Sequence, residues 1–167
     1  MKIRGSSFLF LALVIILSGC EREHQYPGIT AKIAKHSSCK SFKAKQTDSN
    51  AGNDVSCIIY RFVPDSSTLM LKHMNAGFNC CPGTLSCTVS RQDSIITIRE
   101  SEESSLCDCN CLFDLDIVLT GIETGDYFIK IVEPYCGNQE PLHFSIHLSA
   151  TPEGEYCVKR SRYPWGV

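Results

Sequence analysis

The sequence predicts an all-β protein: an antiparallel β-sandwich of seven or eight short strands, stapled by disulfides and preceded by an irregular N-terminal tether. Three observations carry this. From Val55 onward, short runs alternate apolar and polar residues with a period of two, the pattern of a half-buried strand. No amphipathic helical pattern of useful length competes with them. The chain also holds 11 cysteines, a density that in an exported protein reads as a disulfide framework. Hydrophobic residues make up 43% and charged residues 20%, which excludes a wholly disordered chain.

Residues 1–19 read as a signal segment. Lys2 and Arg4 precede Phe8–Leu17, an unbroken apolar run. That run suits a secretory core and is too short to cross about 30 Å of hydrocarbon as a helix. Leu17-Ser18-Gly19-Cys20 then resembles a bacterial lipobox: an aliphatic residue and two small ones ahead of a cysteine. The resemblance implies that Cys20 is acylated and becomes the mature N-terminus, with the covalent lipid as the only cofactor. Acyl chains at ~0.8 kcal/mol per buried methylene would hold such a protein on a membrane. Loss of Lys2 and Arg4 with the signal takes the formal charge from −2 to −4 and leaves 148 residues, the size of one domain. That charge leaves no footprint for nucleic acid. Glu21-Arg22-Glu23 resembles the surface-export signals of some Gram-negative lipoproteins and, more simply, suits a solvated linker, so the side of the outer membrane stays open.

Residues 20–54 are polar and irregular and read as a tether, with a helical turn as the candidate element at 29–34. Cys39 argues that part of this tether is stapled to the domain. The sandwich is expected over residues 55–160. Its runs are 57–63, apolar on both faces; 68–74, loosely alternating; Leu85, Cys87 and Val89 on one face; and Ile96 and Ile98 on one face of 94–100. The longest alternation sets Phe113, Leu115, Ile117 and Leu119 against Asp114, Asp116, Val118 and Thr120. Then come the β-rich run 127–133, the alternation of Leu142, Phe144, Ile146 and Leu148, and a closing run at 155–159. Residues 161–167 form an aromatic tail whose Trp165 is expected to fold back over a sandwich edge rather than contact a partner.

One segment is more specific. Leu119-Thr120-Gly121-Ile122-Glu123-Thr124-Gly125-Asp126-Tyr127-Phe128-Ile129 resembles the turn before strand F of fibronectin type III and related immunoglobulin-like domains. The resemblance implies an Ig-like sandwich. Ile122 would plug the bottom, Gly125 would turn the chain, and the Tyr127 hydroxyl would reach back to the backbone. It speaks to fold and not to function.

With Cys20 lipidated, ten cysteines remain: Cys39, Cys57, Cys80, Cys81, Cys87, Cys107, Cys109, Cys111, Cys136 and Cys157. An even number in an exported chain favours structural disulfides, although their connectivity cannot be read off. Cys107, Cys109 and Cys111 share odd numbering with Phe113 to Leu119, so an unbroken strand would turn all three toward the core. Neighbours two apart on a strand stand about 6.6 Å between Cα atoms, near the upper limit for a bridge. Each is therefore expected to pair outside its own strand, with Cys57, Cys80, Cys81 or Cys87. The first alternative is a thiolate site for zinc or copper built from Cys80, Cys81, Cys107, Cys109 and Cys111; the second is redox chemistry, which no C-x-x-C motif supports.

Other candidate chemistry is sparse. Asp114 and Asp116 stand on one face of one strand, which gives a solvated acidic stripe and no cleft for a sugar. His143 and His147 would lie about 13 Å apart on a strand, too far for one metal. No nucleophile elbow, zinc-protease helix or phosphate-binding glycine loop is present. Asn79-Cys80-Cys81-Pro82, the Cys107-x-Cys109-x-Cys111-Leu112-Phe113-Asp114 run and Tyr163-Pro164-Trp165-Gly166 resemble small cysteine-rich lipoproteins of Gram-negative gut anaerobes, which implies a location and little more. The expectation is a lipid-anchored cell-envelope protein of the outer membrane. It would be a non-catalytic binding or accessory module with a protein or glycan partner and no catalytic residues. The metal-binding lipoprotein is the first alternative and a hydrolase the second.

Overall fold

The structure is a computed structural model that describes residues 28–40 and 54–162. Residues 1–19, expected to be a signal segment, Cys20, and Trp165 of the expected aromatic tail lie outside the described residues. Within them the chain forms β1 (Thr30–His36), β2 (Val55–Val63), β3 (Thr68–Asn79), β4 (Leu85–Gln92), β5 (Ile95–Glu102), β6 (Asn110–Thr120), β7 (Asp126–Val132), β8 (His143–His147) and β9 (Glu153–Lys159). They make two sheets, ordered β1-β6-β3-β2-β9 and β4-β5-β7-β8, packed as a sandwich. Each of the eight expected runs is a strand, because alternation at period two buries one face of each run and wets the other.

The ninth strand is a correction. A helical turn was the candidate element at residues 29–34, yet β1 pairs antiparallel with β6, Ile33 opposite Ile117. Ile29, Ala31 and Ile33 pack against the core. Their spacing is two, not 3.6, and docking there gives the backbone edge of β6 its hydrogen-bond partners.

One strand pair also departs from the antiparallel expectation. β5 and β7 run parallel, Ile96 opposite Ile129 and Ile98 opposite Ile131. The reason is topological. Between them the chain crosses to the other sheet as β6 and comes back, and such a crossover returns it in the same direction.

The core lies between the sheets. Leu69, Leu71, Leu115, Ile117 and Leu119 from one face Ile96, Ile98, Ile129, Ile131 and Ile146 from the other. A bulge interrupts β3 against β6 between His73 and Ala76. Asn75 adopts a left-handed φ of 62° there, a conformation that asparagine tolerates better than most residues. Its amide N–H donates to Asp114 Oδ1 (3.0 Å) and its side chain donates to the Val55 carbonyl (2.8 Å). Lys40 Nζ donates to both Asn75 Oδ1 (2.9 Å) and Asp114 Oδ1 (2.5 Å). The carboxylate read as part of a solvated stripe therefore closes the bulge. The extra residue shifts the inward parity of β3 from odd numbers (Leu69, Leu71, His73) to even ones (Ala76, Phe78).

The corner before β7 forms as the resemblance implied. Tyr127 Oη donates to the Glu123 carbonyl at 3.0 Å, and Ile122 is wholly buried. The glycine that needs positive φ is Gly121, at +80°, while Gly125 sits against the Tyr127 ring.

Candidate functional site

Two places in the sandwich concentrate chemistry, and β3 runs through both. At its far end β3 leads into Cys80 and Cys81, and the ladder with the chain ahead of β6 continues as Cys80 N–H donates to the Cys109 carbonyl (2.9 Å). Three bridges gather here. Cys80–Cys109, Cys81–Cys107 and Cys39–Cys111 have Cα separations of 5.6, 5.4 and 5.7 Å, ordinary spans for a disulfide. A fourth, Cys57–Cys157, joins directly opposed residues of β2 and β9.

Asn79 ties the turns together. Its Oδ1 accepts from the amides of Cys81 (2.9 Å) and Cys107 (3.2 Å), and its Nδ2 donates to the Cys107 carbonyl (2.6 Å). Glu103 N–H donates to the Thr84 carbonyl and Ser104 N–H to the Pro82 carbonyl (3.0 and 3.1 Å). Glu102 accepts from the Asn79 amide through Oε2 and from the Tyr135 hydroxyl through Oε1. That hydrogen bond, with some help from burial, pushes the Tyr135 phenol up to about 12. The loops 80–84 and 103–109 thus form one cross-linked end surface. Leu106 projects from it, 82% exposed.

The outcome for the cysteines is mixed. Cys107, Cys109 and Cys111 each bridge to a cysteine outside their own segment, as expected. The partners Cys81 and Cys80 were among those expected, but Cys111 takes Cys39. The unbroken inward-facing strand does not exist. β6 starts at Asn110, so only Cys111 is buried, while Cys107 is half-buried and Cys109 exposed. Cys87 and Cys136 are free thiols, not bridge partners. Cys87 is enclosed between the sheets opposite Glu100, and Cys136 lies in the β7–β8 connection beside Arg160. Burial and then Glu100 push the Cys87 thiol up to about 11; burial and Glu133 likewise raise Cys136. Both are therefore poor nucleophiles. The ligand set of the metal alternative is rearranged too. The sulfurs that converge, all within 4.8 Å of one another, are those of Cys39, Cys80 and Cys111.

No sequence motif marks the second place. Ser56 (β2), His73 (β3), Glu100 (β5), Glu133 (just after β7) and Arg160 (just after β9) meet inside the sandwich, all buried. His73 Nε2 lies 2.9 Å from Ser56 Oγ, and Nδ1 lies 2.7 Å from Glu100 Oε1. Glu133 Oε1 stands 3.7 Å from His73 Nε2, and Arg160 Nη2 donates to Glu133 Oε2 at 2.6 Å. Arg160 Nη1 also donates to the Glu140 carbonyl at 2.9 Å. Burial alone would lower the His73 pKa, but the charge and hydrogen bond of Glu100, with Glu133 behind them, outweigh it and raise it. A charged His73 also balances the cluster: two cations against two carboxylates, where a neutral imidazole would leave a buried excess of negative charge.

Ser56, His73 and Glu100 repeat the order of a serine-hydrolase triad. Their setting does not, since Ser56 is wholly enclosed between the sheets and presents no face to a substrate. A signal for this cluster did exist. His73 extends the parity of Leu69 and Leu71, Glu100 that of Ile96 and Ile98, Glu133 that of Ile129 and Ile131, and Arg160 follows Val158. A charged residue on the apolar side of a strand marks a buried ion, and several strands ending so mark a cluster.

The chain matches no protein-family model, no curated protein and no solved structure.

Proposed function

We propose that the mature protein is a lipid-anchored component of the bacterial cell envelope, held to the outer membrane through Cys20, whose sandwich serves as a non-catalytic binding module. The observation that carries the binding role is Leu106. A largely exposed leucine is presented by a loop that two disulfides and the Asn79 hydrogen bonds cross-link. Loops on a rigid scaffold are where recognition concentrates, and a pre-ordered loop loses little conformational entropy on binding. An exposed leucine calls for an apolar pocket, so a protein partner fits better than a glycan. The lipobox and the resemblance to cysteine-rich envelope lipoproteins support the location. The thiolate-metal alternative needs Cys39–Cys111 and Cys80–Cys109 reduced together, and the hydrolase alternative needs an open Ser56; both fit less well.

Two experiments test this reading. Cys20→Ala should abolish lipid labelling and leave the protein out of the detergent phase; unchanged partitioning would refute the anchor. A photo-cross-linker at position 106 in intact cells should give a discrete protein adduct that a cross-linker at exposed Glu153 does not. Equal or absent adducts at the two positions would refute the end surface as the binding site.

A further inference from the structure

Cys39, Cys80 and Cys111 hold their Sγ atoms within 4.8 Å of one another although they belong to two different bridges, Cys39–Cys111 and Cys80–Cys109. A third sulfur beside a disulfide is what thiol–disulfide exchange needs, because a thiolate displaces one bridge sulfur by bonding to the other. Exposure is graded across the group: Cys39 and Cys109 are exposed, Cys80 is half-buried and Cys111 is buried. Among the described residues no comparable group surrounds Cys81–Cys107.

We propose that this sulfur cluster is an exchange site for an external thiol, in which opening of Cys80–Cys109 is passed on to Cys39–Cys111. The incoming thiolate attacks exposed Cys109 Sγ. A mixed disulfide forms on Cys109, the Cys80–Cys109 bond breaks, and its electron pair leaves on Cys80 Sγ. The Cys80 thiolate then attacks Cys111 Sγ. The Cys80–Cys111 bond forms, the Cys39–Cys111 bond breaks, and Cys39 departs as a thiolate that takes a proton from water. Two disulfides and one thiol enter and the same number leave, so no further oxidant or reductant is consumed. The direction follows from burial. A Cys39 thiolate is solvated, whereas a Cys111 thiolate would be expelled into the apolar interior, which raises a thiol's pKa and makes it the poorer leaving group. The half-buried hub Cys80 is kept from direct attack, and the exposed Cys109 receives it.

Reduced glutathione is the probe. Native protein exposed to it at mildly alkaline pH, quenched with a maleimide and mapped, should carry glutathione on Cys109 and maleimide on Cys39 in the same molecules, with a Cys80–Cys111 peptide. Glutathione on Cys109 with maleimide on Cys80 and an intact Cys39–Cys111 bridge would overturn the relay. A second variant needs no added thiol. Cys109→Ser leaves Cys80 unpaired from the start, so exchange should occur within the chain and free Cys39 in its place. If mapping of Cys109→Ser finds Cys80 alkylated and Cys39–Cys111 intact, the proposal fails. In Cys80→Ala, modification of Cys39 by the same probe should slow by about tenfold or more, as expected when the internal nucleophile is lost; an unchanged rate would count equally against it.

Discussion

Strand β3 passes through two kinds of cross-link. At His73 it enters a cluster of ions enclosed by both sheets, and at its end it runs into three covalent bridges on an exposed surface. Both join elements far apart in sequence, but for different physical reasons. The ionic cluster holds only while its members stay together in a dry interior, and removing one charge leaves the others without compensation. The bridges act mainly on the unfolded chain, whose freedom they restrict, and ask little of their surroundings. The centre therefore depends on protonation, while the end depends on thiol chemistry. The bulge at Asn75 lies between the two and resets the inward parity of β3, so a single strand serves both.

The comparison is broken most severely at the centre. His73→Ala should cost about 3–5 kcal/mol, the range for removing one partner of a buried ionic set, against a total that for domains of this size is about 5–15 kcal/mol. Chemical denaturation would measure it, and a loss near zero would mean that the cluster is not held by charge. At the other end, Cys81→Ser with Cys107→Ser should cost about 2–4 kcal/mol. It should also open residues 103–109 to proteolysis while leaving the His73 environment unchanged by NMR.

Protonation separates the two places further. The folded pKa of His73 is raised above its ordinary 6.5 by Glu100 and Glu133, acting against burial. A raised folded value means that the contribution is fully present below the unfolded pKa and is lost as pH rises through the folded one. The denaturation midpoint should therefore fall as pH climbs above about 6.5, and His73→Gln should flatten that dependence. An equal slope in the variant would place the titration elsewhere. Cys87 gives a related test. Its thiol, pushed up to about 11 by burial and then Glu100, packs in the core cluster, so in native protein at neutral pH it should be labelled much more slowly than in unfolded protein, as timed alkylation would show. The smallest effect belongs to the corner: Tyr127→Phe removes one hydrogen bond to Glu123 and should cost about 0.5–1.5 kcal/mol, read as a small shift in midpoint with the ionic centre and the bridges intact.

What the sequence determined by itself is local. Period-two alternation is a property of single strands, so β2 to β9 were legible before any partner was known, as was the Tyr127 corner, whose parts lie within a dozen residues. That Cys107, Cys109 and Cys111 bridge away from their own segment was also expected, but the strand spacing behind that expectation does not apply at Cys107 and Cys109, which precede β6. Tertiary structure decided which inward positions meet. Parity says that His73, Glu100, Glu133 and Arg160 point inward, but only the stacking of two sheets brings them to one spot. The same holds for Cys39: its bridge to Cys111 depends on β1 docking along β6, and the few apolar residues of β1 become a strand only because an open sheet edge supplies the missing hydrogen bonds.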